Sequence, residues 1–168
     1  MNHFQLFDLP VQFPLDQHQL ASRYRELARA VHPDKFAASA DRERAMALAK
    51  TAQLNDAFET LKCATSRAEY LLSLKGVDIR GESQTLRDPA FLMQQMHWRE
   101  ALEEIEDVDA LDGLRAEIQA ERQTLEQGFQ AQLAEEALDE AADTVRKLKF
   151  VDKMHRELDS LEESLLDY

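Results

Sequence analysis

Four glycines and four prolines are all that interrupt the 168 residues, and between them apolar side chains recur at intervals of three and four. That period matches one face of an α-helix, and the period-two alternation of a half-buried strand is absent. The chain is therefore expected to be all-α, built from helices long enough to bury a stripe each. Residues 16–31 begin with Asp16 as an N-cap and carry Leu20, Tyr24, Leu27 and Val31 as a stripe. His18, Ser22, Arg25 and Arg29 occupy the other side. Pro33 disfavours helical geometry at His32 and has no amide to donate, so the helix should stop there and give way to a loop from His32 to about Ala40.

Asp41 can cap a second long helix that buries Leu54, Ala57, Phe58 and Leu61, and Thr65 and Ser66 can open a shorter one running through Tyr70 to Leu74. Gly76 and Gly81 bracket a polar stretch that is expected to separate a first unit, residues 1–75, from a second, with the connection at 76–83. Asp88 followed by Pro89 is a strong helix start, and this helix should reach about Val108. Leu111, Leu114, Ile118, Leu125, Phe129 and Leu133 mark the next. A last helix from about Glu136 carries a drifting seam from Leu138 to Leu165. Residues 84–168 should thus form an antiparallel three-helix bundle.

Charge divides at the same place. Residues 1–75 hold ten Lys/Arg and nine Asp/Glu, whereas residues 76–168 hold ten and twenty-four, giving the whole chain a net charge of −13. Neutralising phosphates needs a dense basic surface, so a nucleic-acid partner is not expected. No run approaches the roughly 18 apolar residues of a membrane span, and the N-terminus lacks the basic and apolar regions of a signal peptide. One cysteine, Cys63, allows no disulfide within the chain. A cytoplasmic location is expected.

His32-Pro33-Asp34 draws meaning from its setting. It follows a helix with a basic outer face and precedes a second long helix. Tyr24, Arg25, Leu27 and Ala28 before it, Lys35 after it, the run Leu54-Asn55-Asp56-Ala57-Phe58-Glu59-Thr60-Leu61, and Arg67, Ala68 and Tyr70 together resemble the J-domain family over residues 1–75. Two positions depart from the pattern: Val31 replaces the usual aromatic before the histidine, and Cys63-Ala64 stands where many members have Asp-Pro. The resemblance implies docking on a DnaK-type chaperone and acceleration of its ATP hydrolysis, with Tyr24, Arg25, Arg29, His32, Pro33, Asp34 and Lys35 as the chaperone-binding set. Physical chemistry points the same way. Arg25 and Arg29, at i and i+4, form a cationic strip suited to an acidic partner. Pro33 stiffens the loop that presents His32 and Asp34, which lowers the ordering cost of docking.

The whole chain resembles the HscB family of specialised J-proteins, on Arg67-Ala68-Glu69-Tyr70-Leu71-Leu72-Ser73-Leu74, Arg87-Asp88-Pro89-Ala90-Phe91-Leu92-Met93 and Ala141-Ala142-Asp143-Thr144-Val145-Arg146-Lys147-Leu148-Lys149-Phe150. This implies an iron-sulfur cluster assembly co-chaperone without enzymatic activity or cofactor, whose bundle holds the scaffold protein IscU while its J-domain engages the chaperone HscA. A helical wheel supports a binding face. Phe91, Trp98, Leu102 and Ile105 share one sector, the expected core. Leu92, Met93 and Met96 lie opposite, next to Glu100, Glu103 and Glu104, an amphipathic docking strip suited to the adaptable thioether. The alternative use of Leu92 and Met93 is packing against the first unit. Phe150 points away from the stripe of Leu138, Ala141 and Val145, and the family places an aromatic contact there. The expected scaffold site is therefore Leu92, Met93, Met96, Glu100, Glu104 and Phe150. The basic residues Arg146, Lys147 and Lys153 around Phe150 can equally pair with the acidic first helix of the bundle.

Two other classes compete. His97 with Glu100, and Asp152 with His155, have the i, i+3 spacing of bundle metal ligands, although three helices supply few inward ligands. A helical adaptor without chaperone function is the second, and the setting of His32-Pro33-Asp34 distinguishes it from a co-chaperone.

Overall fold

The computed structural model describes residues 1–79 and 88–167. Every regular element among them is helical: α1 His3–Leu6, α2 Gln17–Ala30, a 3₁₀ turn Pro33–Phe36, α3 Asp41–Lys62, α4 Ala64–Leu74, α5 Pro89–Glu104, α6 Val108–Ala134 and α7 Leu138–Leu166. They fall into two compact units, Met1–Leu71 and Leu72–Tyr168. The division lies inside α4. Gly76, at φ +83°, closes α4 in the left-handed conformation, with the Val77 amide bonded back to the Leu72 carbonyl at 2.9 Å. Of the expected connection at 76–83, residues 80–83 with Gly81 lie outside the described residues, as does Arg87.

In the first unit α2 and α3 are antiparallel, because Gln17 Nε2 donates to the Lys62 carbonyl, Tyr24 to Asn55, and Thr51 Oγ1 to the Val31 carbonyl. The first 15 residues, for which the periodicity gave no element, supply a large share of the core: Phe4, Phe7, Leu9 and Phe13 are buried with Leu20, Leu54, Ala57 and Leu61. Asn2 and Gln5 form a reciprocal capping box on α1, both bonds 2.9 Å. Arg67 is buried and holds the unit's parts together. Its Nε donates to the Phe13 carbonyl at 2.7 Å and its Nη1 to the Leu61 carbonyl at 2.6 Å, while the Phe13 ring lies under the guanidinium. A charge this deeply placed is stable because one carbonyl at the C-terminal end of α3 and one from the N-terminal segment meet it.

The second unit contains the expected bundle. Thr144 bonds Gln132, Arg122 pairs with Asp152, and Arg115 with Asp159, which sets α6 and α7 antiparallel. Trp98, Leu111, Leu114, Ile118 and Leu125 pack with Leu148, Val151, Met154 and Leu158 in one core. Two boundaries differ from expectation. α5 stops at Glu104, not near Val108, because Ile105 adopts extended geometry and Asp107 caps α6, accepting from the Ala110 amide at 2.7 Å. Carboxylates at Glu103, Glu104 and Glu106 oppose the negative end of a helix dipole, which disfavours extending α5 through them. α7 starts at Leu138, since Glu136 takes φ +57° to close α6. Likewise Ala40, not Asp41, is the N-cap of α3, without a side-chain bond, and Asp41 instead pairs with Arg44.

Candidate functional site

On the first unit the basic strip and the loop are both solvent-facing. Asp16 caps α2 by accepting from the Gln19 amide at 3.1 Å, and Arg25 and Arg29 are exposed on the helix. Val31 is the C-cap, and Pro33 occupies the first position of the 3₁₀ turn, so the expected irregular loop is partly regular. His32 is the N-cap of that turn, its Nδ1 accepting from the Asp34 amide at 3.2 Å. Asp34 and Lys35 are exposed. Tyr24 differs from the other six: its ring stacks on Phe58 with centroids 4.3 Å apart, and its hydroxyl donates to Asn55. It holds α2 to α3 and leaves the surface to the arginines.

Beside the loop, Val31, Phe36, Met46, Ala47 and Lys50 line an apolar groove of about 510 Å³. The periodicity of α3 gave no sign of Met46, which is 64% exposed, because a helical wheel marks only which residues share a side and not what a neighbouring turn leaves uncovered.

On the second unit the expected strip is present on α5. Asp88 caps the helix, its Oδ1 accepting from the Ala90 and Phe91 amides at 3.0 and 3.2 Å and its Oδ2 from Lys147 Nζ at 2.7 Å. The Lys147 bond, with the amide bonds, holds the Asp88 carboxyl below the usual carboxylate range. Phe91 and Trp98 are buried, while Leu92, Met93 and Met96 are 45%, 71% and 63% exposed. Glu100, Glu103 and Glu104 continue the outer face in solvent. Three large apolar side chains exposed within two turns, grading into carboxylates, form a patch with both an apolar and an electrostatic component.

Phe150 is placed otherwise than the wheel of α7 suggested. It is half-buried and packs against the core, T-shaped to Phe91 at 5.9 Å and parallel to Trp98 at 6.2 Å. A wheel drawn from α7 alone counts this flank as outward, but α5 covers it. Arg99 sits over the Phe150 ring at 5.4 Å and reaches Glu157 at 3.7 Å, a bridge the sequence did not single out. Of the basic residues nearby, Lys147 pairs with the N-cap of α5 and Arg146 with Asp143 on its own helix.

The spacings that suggested metal ligands are used in other ways. His97 Nε2 lies 3.3 Å from Glu117, not beside Glu100, and Asp152 pairs with Arg122. His155 lies among Arg122, Arg115, Asp152 and Asp159, and burial first, then the two guanidiniums, lower its pKa. Among the described residues no three His, Cys, Asp or Glu side chains converge in a metal-binding group, and no helix is long and apolar enough to cross a membrane.

Residues 87–159 match the family model described as the HSCB C-terminal oligomerisation domain. A co-chaperone protein HscB homolog of Shewanella amazonensis is 51% identical, the match covering 99% of this chain and all of that one. The homolog of Photobacterium profundum is 49% identical over the same shares. The solved structure of chaperone HscB from Vibrio cholerae superposes with a TM-score of 0.88 at 42% identity, covering 99% of this chain and 100% of that one. Human co-chaperone protein HscB gives 0.91 at 26% identity, over 96% of this chain and 82% of the human one. Half-identical to named relatives along nearly its entire length and carrying an N-terminal J-domain ahead of a helical bundle, the chain belongs to the HscB family of co-chaperones.

Proposed function

We propose that this co-chaperone binds an iron-sulfur cluster scaffold of the IscU type on the α5 face of its bundle and delivers it to a DnaK-type chaperone, HscA, whose ATPase its J-domain stimulates. It does so in the cytoplasm, without catalysis or a cofactor of its own. The observation that carries the reading is the pairing of two exposed surfaces of different chemistry on one chain. One is the cationic strip of Arg25 and Arg29 ending at His32-Pro33-Asp34; the other is the apolar patch of Leu92, Met93 and Met96 beside Glu100 and Glu104.

Each surface suits its task. Exposed arginines raise the on-rate toward an acidic partner and fix its orientation. Flexible methionines fit an irregular client surface, and the carboxylates set register. Phe150, parallel to Trp98, braces α5 from the core side. The test is an ATPase assay of the chaperone with this chain and the scaffold added separately and together. The expected result is stimulation by each and more than additive stimulation by both. A merely additive response would remove the delivery role, and no response to the chain alone would return the helical-adaptor reading.

A further inference from the structure

The first turn of α5 hangs on one residue. Pro89 at its first position has no N–H, and the three amides that follow all bond to Asp88: Ala90 and Phe91 to the side-chain Oδ1 at 3.0 and 3.2 Å, and Leu92 to the backbone carbonyl at 3.0 Å. The carboxylate can hold its two amides only while it keeps one orientation. Its other oxygen, Oδ2, accepts from Lys147 Nζ on α7 at 2.7 Å, and the same ammonium stands 5.5 Å from the centroid of the buried Phe91 ring.

Lys147 thus reaches from α7 to the cap of α5, immediately before Leu92 and Met93, where the exposed patch begins. Side chains leave a helix at angles set by its backbone, so a frayed first turn would let both residues swing, and a partner would have to order them on binding. Later turns of α5 have ties of their own: Trp98 Nε1 lies 3.4 Å from Glu117, and Arg99 sits over the Phe150 ring. The Lys147 side chain is only 21% exposed, which leaves little of it for a partner to touch.

We propose that Lys147 is a positioning residue of the scaffold site: acting through Asp88, it fixes the first turn of α5 and with it the directions in which Leu92 and Met93 meet the scaffold. This rests on the reading of the α5 face as the scaffold site and adds to it a residue, on a different helix, that acts without touching the scaffold.

Substitutions in the full chain test it. Lys147→Met keeps the aliphatic stem and removes the ammonium. Its scaffold affinity should fall about three- to tenfold, as expected when two side chains must be ordered anew on binding. The unfolding midpoint should hardly move, while amide exchange at Ala90 and Phe91 quickens. Lys147→Arg, which can still donate to Asp88, should recover most of the affinity. Combining Lys147→Met with Asp88→Asn should cost well under the product of the two separate losses, because a residue that acts through another loses its effect once that other is changed. Losses that multiply would mean that Lys147 meets the scaffold directly, and would overturn the proposal. So would unchanged affinity in Lys147→Met, or a lower affinity without quicker exchange at Ala90 and Phe91. If the wild-type chain did not bind the scaffold, the scaffold reading would fall and the positioning role with it. The exchange measurement is made on the chain alone, so it reads the hold of Lys147 on α5 separately and tells the two failures apart.

Discussion

The ring of Phe150 on α7 lies parallel to that of Trp98 on α5, 7° between planes and 6.2 Å between centroids. Phe150 thus packs on the core that α5 and α7 share, and its substitution tests whether it also serves the exposed patch. Shortening Leu92, Met93 and Met96 together to alanine should lower scaffold affinity more than about thirtyfold, since interface energy concentrates in a few desolvated side chains. Stability should hardly change, because exposed side chains leave no cavity. Phe150→Ala should instead reduce stability by about 2 to 3 kcal/mol as well as affinity. Denaturant unfolding and scaffold titration of both variants separate the roles. A triple variant that unfolds early while binding normally would mean the patch is structural.

Reversing Arg25 and Arg29 to glutamate should slow association with the chaperone by about tenfold while changing dissociation less, because exposed charges act chiefly on encounter. The wild-type on-rate should fall with added salt. Stopped-flow measurement at two ionic strengths checks this. An on-rate indifferent to salt would show that the arginines are solvated surface only.

Tyr24 should behave as a hairpin residue. Tyr24→Phe removes the bond to Asn55 and should cost about 1 kcal/mol, and Tyr24→Ala, which also removes the stack on Phe58, should cost about 2 to 3 kcal/mol. Thermal unfolding reads both. Loss of chaperone stimulation in Tyr24→Phe with unchanged stability would instead put the hydroxyl in the interface.

Acid should weaken the bundle through His155. Its folded pKa is lowered by burial and by Arg122 and Arg115, so the unfolded chain binds its proton more readily. The corresponding stability is fully present above the ordinary histidine value of 6.5 and is lost as pH falls below it toward the folded value. His155→Gln should therefore flatten the fall in urea midpoint between about pH 7.5 and 5.5. His3 is shifted the same way by burial and acts equally in both proteins. Identical slopes with and without His155 would contradict this.

The sequence by itself determined the helices with long stripes and explicit ends. Asp16, the Pro33 stop and Asp88-Pro89 act through local backbone chemistry, which needs no neighbour to be read. The outward face of α5 was legible for the same reason, since Phe91 and Trp98 on one side leave Leu92, Met93 and Met96 on the other. Only the tertiary structure decided where residues sit relative to a second element. The anchoring of Phe13 depends on Arg67, 54 residues away, and Phe4 and Phe7 meet Tyr70 and Tyr24. The inward place of Tyr24 depends on Phe58 and Asn55, and the half-burial of Phe150 on α5 closing over one flank of α7. The pairing of His97 with Glu117 instead of Glu100 is of the same kind. Periodicity records the angle of a side chain about its own helix axis, whereas burial is set by the helices that pack around it, and that information is spread across distant parts of the chain.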